Sequence, residues 1–195
     1  YIDKQFVCAP CYSEFVNNSE VLPLGIDIIK YKYTEKKVPL GQIIIMHAPT
    51  SRDNKGTSYI IQGLEKLVEE GYNIKLNLVE NVSHEELIEQ YIECDIFVDQ
   101  ILAGWYGTAA IEAMALGRPA ICFLRKSYMK HIDYGDKIPI INAQPSSFYT
   151  VLKELIDNKY RLQQIGLKSR KFVEEVHDIK KVTKRLISKY NSLYD

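Results

Sequence analysis

Three stretches of this 195-residue chain gather side chains that can do chemistry. The first, His47-Ala48-Pro49-Thr50-Ser51-Arg52-Asp53-Asn54-Lys55-Gly56-Thr57, sets two cations, several hydroxyls and a glycine directly before an apolar-periodic run. Free amides and the dipole at a helix N-terminus favour an anion, so a phosphate or diphosphate is the natural guest. The competing reading is a turn shaped by Thr50 or Ser51 with Arg52 and Lys55 solvated. The loop matches neither G-x-x-x-x-G-K-[ST] nor G-x-G-x-x-G. The second stretch, Asp99 to Thr108, carries Gly104 and Gly107 and leads into Ala109-Ala110-Ile111-Glu112-Ala113-Met114-Ala115. Its glycines permit close backbone approach, and Thr108 can cap a helix whose first amides face a ligand. Glu112, about one turn in, is a carboxylate among small apolar residues, costly to bury unless hydrogen-bonded. It is either an exposed acid or an acceptor for a pair of hydroxyls such as those of a ribose. The third stretch, Glu80 to Glu86, holds a Ser83-x-x-Glu86 capping box, which suffices to explain it. His84 has no visible partner that would make it a base, and His47, at a strand end beside the phosphate loop, is the better site candidate.

Metal chemistry has little support. Cys8 and Cys11 stand at ligand spacing, but Cys94 and Cys122 lie far apart in apolar runs, so reduced and mostly buried thiols are expected. No Asp-x-Asp occurs that would clamp a diphosphate through a cation.

These stretches need a frame to hold them, and the hydrophobic pattern supplies one. Residues 42–46, 74–79, 95–98, 120–124 and 138–142 read as strands, mostly buried on both faces. Between them, residues 57–70, 85–94 and 108–116 read as helices. Such alternation implies right-handed βαβ units, and hence an α/β class with a doubly wound, Rossmann-like parallel sheet and helices on both faces. Past Pro145 and Ser146 the pattern turns wholly helical. It ends in an amphipathic helix over 178–195, with Ile179, Val182, Leu186, Ile187, Tyr190 and Leu193 on one face and lysines on the other. Residues 1–30, broken by Pro10, Asn17, Asn18, Pro23 and Gly25, read as a connection entering the domain, with short strands over 4–8 and 20–22.

Composition is that of an ordinary globular domain. With 25 basic and 25 acidic side chains and 46% apolar residues, disorder is ruled out over most of the chain, and the balanced charge argues against a dedicated nucleic-acid binder. Residues 1–150 carry 14 basic and 19 acidic groups, net −5, and the remaining segment carries 11 and 6, net +5. No run approaches a membrane span or a signal peptide, so a cytoplasmic setting is expected. The chain starts on Tyr1, which suggests a piece of a longer protein.

The string HAPTSRDNKGTSYIIQGLEKL, followed by LVENVSHEELIEQYIECDIFVDQILAGWYGTAAIEAMALGRPAICFL, resembles the C-terminal, nucleotide-sugar-binding half of family 4 retaining glycosyltransferases of the GT-B architecture. VLPLGID at 21–27 looks like the interdomain segment of that family and SRKFVEEVHDIKKVTKRLISKY like its closing helices, so the resemblance covers essentially the whole chain. It implies that 1–30 is the end of a missing N-terminal domain plus a linker, 31–177 the donor-binding domain and 178–195 the closing helix. It also implies transfer of a sugar, with retention and without metal or other cofactor, from a UDP- or GDP-type donor to a glycan or lipid-linked acceptor in polysaccharide biosynthesis. The acceptor would be held by the missing domain, with peripheral contact to the inner face of the membrane through the basic helix. Lys55 matches the lysine on the donor diphosphate, with Arg52 its partner in stabilising the leaving group. Gly107 and Thr108 match the helix start at the phosphates and Glu112 the glutamate on the ribose. His47, Pro49, Thr50, Glu80, Asp99 and Tyr106 complete the expected donor contacts.

Two departures stand out. The first glutamate of the family's Glu-seven-residues-Glu pattern, near the transferred sugar, falls at Gly104, leaving Asp99 as its replacement or no carboxylate at all. The family arginine falls at Pro49 or Thr50, with Arg52 closer to the lysine. Rival readings are a nucleotide-sugar epimerase of the same architecture and a non-catalytic nucleotide-sugar-binding module. A phosphoacceptor receiver would need acids after the first strand, where His47 and Ala48 stand.

Overall fold

The computed structural model describes residues 4–193. A parallel two-stranded ribbon opens it: β1 (Gln5–Val7) and β2 (Ser19–Val21) pair in register, joined through a 3₁₀ turn at Pro10–Glu14. A second sheet, all parallel, forms the body. Its strands are β3 (Ile43–His47), β4 (Ile74–Leu78), β5 (Ile96–Val98), β6 (Ala120–Cys122) and β7 (Ile141–Asn142), in the spatial order β4-β3-β5-β6-β7. The central strands are nearly continuous apolar runs because helices cover both faces. Seven helices accompany them: α1 (Arg52–Lys55), α2 (Thr57–Glu69), α3 (His84–Glu93), α4 (Thr108–Ala115), α5 (Phe148–Asp157), α6 (Leu162–Val176) and α7 (Ile179–Asn191).

Two cores result, one on each face of the sheet. Ile60, Leu64 and Leu67 of α2 meet Phe148 and Leu152 of α5 over Ile45, Ile96 and Ile121. On the other face Tyr91 of α3, Ile111 and Met114 of α4, and Phe172 and Val173 of α6 cover Met46, Phe97 and Cys122. Helix α4 lies between sheet and α6 and is buried from Ala110 to Ala115. That burial explains its small apolar sequence and makes Glu112 the exception on it.

The structure sharpens several expectations. The first loop is not simply a loop: Ser51 caps the one-turn α1, and Gly56 then turns the chain into α2 at φ +77°. A Cβ at Gly56 would stand 2.8 Å from Ile101 Cγ1, so the residue is fixed by conformation and by packing against the second loop. Thr108 is not a cap. Gly107 occupies the N-cap position and no side chain caps α4. The last strand shrinks to Ile141–Asn142, since Pro139 just before it lacks an amide proton for a ladder. Helix α7 ends at Asn191, so Leu193 lies past it, and residues 1–3, 194 and 195 of the expected segments lie outside the described residues.

A strap ties the two ends of the domain together. Ile26 N–H donates to His177 O at 2.8 Å, Ile179 N–H donates to Ile26 O at 2.9 Å, and Ile26 bridges Asp178 in parallel fashion. Further along, Lys189 pairs with Glu20 at 2.5 Å, and the Phe6 and Tyr190 rings meet edge to face at 6.1 Å.

Candidate functional site

In an open parallel sheet the crevice forms where strand order reverses, outside the carboxyl ends of the strands. Here β3 has β4 on one side and β5 on the other, so the reversal falls between β3 and β5. The loops leaving those strands are 48–56 and 99–107, the two stretches singled out by residue type.

The structure joins them through one carboxylate. Asp99, at the end of β5 and 1% exposed, accepts from Lys55 Nζ at 2.5 Å through Oδ1 and from the Gly107 N–H at 2.8 Å through Oδ2. The Lys55 carbonyl in turn accepts from Ile101 N–H at 3.2 Å. Asp99 therefore faces inward and holds the lysine and the start of α4 together. Lys55 keeps two of its three protons for an outside anion. The start of α4 has no side-chain cap and lies beside the lysine, since a Cβ at Gly107 would stand 3.8 Å from Lys55 Nζ.

Four residues into α4, Glu112 is buried and hydrogen-bonded, so it is not an exposed acid on the polar side of the helix. Tyr31 Oη donates to Glu112 Oε1 at 2.7 Å, and His84 Nε2 lies 3.2 Å from the same oxygen and 3.3 Å from Tyr31 Oη. Glu112 Oε2 has no protein hydrogen-bond partner among the described residues. Burial first, then the hydrogen bond to Glu112, pushes the Tyr31 phenol above its ordinary range, so it stays a donor. Tyr31 and the partnership of His84 escaped sequence reasoning. Tyr31 sits 81 residues from Glu112, and its type alone carries no signal of that contact.

The other expected contacts have partners within the protein or positions at the loop mouth. His47 is fully buried, with Nδ1 2.8 Å from Val98 O and Nε2 2.9 Å from Thr57 Oγ1. A carbonyl only accepts, so Nδ1 carries the proton and Nε2 receives the threonine hydroxyl; burial lowers the imidazole pKa and keeps it neutral. It pins β3 to β5 and α2 and has no nitrogen free for a ligand. Tyr106, buried, turns its hydroxyl inward to His177 Nε2 at 3.0 Å. Arg52 and Glu80 form an exposed ion pair with each other through two guanidinium nitrogens, and that pair raises the arginine and lowers the glutamate pKa. Pro49 is buried and Thr50 exposed at the mouth of the loop. No three His, Cys, Asp or Glu side chains among the described residues gather as a metal site, and none of the described helices is long and apolar enough to cross a membrane.

A large cleft lies away from this crevice. It measures about 900 Å³ and runs between residues 20–23, the turn at 130–133 and α7, where Lys181, Lys184, Arg185 and Lys189 line it. The chemistry at Asp99, Lys55 and Glu112 outweighs its size, because it unites charge, free amides and the topological reversal.

No family model matches the chain, and no curated protein is similar to it in sequence. Solved structures do resemble it. Sucrose-phosphate synthase from Thermosynechococcus elongatus superposes with a TM-score of 0.71 at 16% identity, over 100% of this chain and 59% of its own. The Anabaena protein HepE, in complex with UDP-glucose, gives 0.70 at 11% identity, over 98% and 64%. The C-terminal domain of a group 1 glycosyl transferase from Francisella tularensis gives 0.59 at 16% identity, over 80% of this chain and 100% of that domain. The fold is that of a Rossmann-like half of a GT-B glycosyltransferase. The chain spans about 60% of the length of the first two of these GT-B neighbours.

Proposed function

We propose that this chain is the donor-binding half of a retaining glycosyltransferase that takes a sugar from a UDP- or GDP-type nucleotide sugar. The observation that carries the reading is the alignment of Lys55 and the uncapped start of α4 with the open carboxylate oxygen of Glu112 further along the same helix. At 1.5 Å per residue, the five residues from Gly107 to Glu112 advance about 7 Å, the scale that separates a diphosphate from the ribose hydroxyls behind it. The donor phosphates would take the Lys55 protons and the α4 amides, and Glu112 Oε2 would accept from the ribose.

The hard step is departure of the diphosphate, whose developing charge needs fixed positive groups. Lys55 is held ready by Asp99. Arg52 contributes only by leaving Glu80. No metal is required by this arrangement. Residues 1–30 are read as the end of an N-terminal domain that binds a glycan or lipid-linked acceptor, with α7 as the closing helix and the inner face of the cytoplasmic membrane as the place of action. The UDP-glucose complex of HepE supports the choice of donor class.

Calorimetric titration with a panel of nucleotides tests this. UDP or GDP binds, and Lys55→Ala and Glu112→Ala each weaken binding tenfold or more, from lost charge-assisted hydrogen bonds of roughly 1.5 to 3 kcal/mol. Lys55→Ala strands a buried Asp99, so the double variant Lys55→Ala/Asp99→Asn, which removes both charges, repeats the test in a relaxed background. Absence of binding at millimolar nucleotide, or variants that bind like the parent, sinks the reading. An epimerase would instead turn over donor with no acceptor present.

A further inference from the structure

Two cations of the crevice have carboxylate partners, Lys55 in Asp99 and Arg52 in Glu80. A third cation stands on its rim. Arg125, just past β6, is exposed, and no carboxylate pairs with it among the described residues. Its position is built. The Arg125 N–H donates to Gly104 O at 2.9 Å, and its guanidinium lies over the Tyr128 ring at 5.2 Å. Gly104 has φ +85°, and a Cβ there would stand 3.1 Å from Arg125 Cβ and 3.3 Å from its Nε. The space that a side chain at 104 would enter is thus occupied by the arginine. A position where a carboxylate is expected carries a cation in its place.

The ligand's direction assigns a partner to that cation. If ribose lies at Glu112 and diphosphate at Gly107, the next group continues past the start of α4, toward the loop that precedes Gly107. Gly104 is three residues upstream, at most about 11 Å of extended chain. Arg125, whose backbone N–H bonds Gly104 O, stands on that side of the start of α4. A planar guanidinium stacked on Tyr128, with no carboxylate partner among the described residues, matches a ligand carboxylate through two parallel hydrogen bonds.

The geometry points to a donor whose sugar carries a carboxylate, a nucleoside diphosphate uronic acid, with Arg125 as the residue that reads it. This rests on the donor-binding function proposed above. Titration of the chain with UDP, UDP-glucose and UDP-glucuronic acid, and with GDP, GDP-mannose and GDP-mannuronic acid, separates the two claims. In the series that binds, the uronate conjugate binds at least tenfold tighter than the neutral one. R125Q erases that preference and leaves affinity for the bare nucleotide unchanged, while K126Q, one residue along, keeps the preference. Equal binding of neutral and acidic conjugates overturns the inference while leaving the nucleotide site intact. So does a loss of bare-nucleotide affinity in R125Q, which would put the arginine on the diphosphate, or a loss of preference in K126Q, which would make the attraction diffuse. Failure of every nucleotide to bind removes the donor site and this inference together.

Discussion

Glu112 owes its place to Tyr31. A carboxylate on a helix buried from Ala110 to Ala115 survives because one oxygen receives a phenol while the other stays open. Tyr31→Phe removes that donor without changing the ring. Hydrogen bonds to charged groups contribute about 1.5 to 3 kcal/mol, so urea unfolding should show a loss of about 1.5 kcal/mol, with His84 retaining part of the contact. A variant as stable as the parent would mean that Glu112 gains nothing from the tyrosine. Asp99 shows the same economy: one side chain fixes a lysine and a glycine amide that lie on different loops. The types and spacing of Lys55, Gly107 and Glu112 are readable along the chain because each sits at a strand exit or helix start. Neither the inward turn of Asp99 nor the stacking of Arg125 over Tyr128 is, since both depend on which loops the sheet order brings together.

Between elements, His177 is the junction to watch. It sits at the break between α6 and α7, receives the Tyr106 hydroxyl at Nε2 and donates from Nδ1 to Leu24 O at 2.7 Å. Segment 21–27 is thereby joined to the residue preceding Gly107. Burial lowers the His177 pKa to about 4, aided by the charge of Arg185, against an ordinary 6.5. The unfolded chain therefore takes up a proton first. Stability from the neutral ring is complete above pH 6.5 and falls as pH drops toward 4, by about 3 kcal/mol in all. Urea unfolding at pH 7.5 and 5 should show the decline, and His177→Gln should flatten it; an unchanged slope would remove the histidine from the account. At this scale β3, β5 and β6 were legible because strands buried on both faces are apolar nearly throughout, and the edge strand β4 because Ile74, Leu76 and Leu78 alternate with polar residues. Helix α1 was not, since Arg-Asp-Asn-Lys has no apolar periodicity and exists only because Ser51 caps it and Gly56 ends it. The β1–β2 ribbon was half legible: its strands could be found, but parallel pairing across a 3₁₀ turn leaves no local mark.

For the molecule as a whole, the balanced charge resolves into a separation in space. The basic segment ends in α7, whose Lys181, Lys184, Arg185 and Lys189 line the large cleft, with Lys189 engaged by Glu20. The apolar stripe of α7 is only partly used, since Val182 is buried while Ile179, Ile187 and Tyr190 remain exposed. The strap through Ile26, Asp178, Glu20 and Lys189 places the first and last described elements side by side, although some 150 residues separate them along the chain. That adjacency means the order of the elements can be cut anew. A short Gly/Ser linker between the present ends, with new ends opened at the exposed Gly71 turn between α2 and β4, should give a circular permutant that melts cooperatively and keeps its far-ultraviolet dichroism. A permutant that fails to fold would show that the strap needs its native order of assembly. One that folds more quickly would show that joining distant ends is what slows the parent.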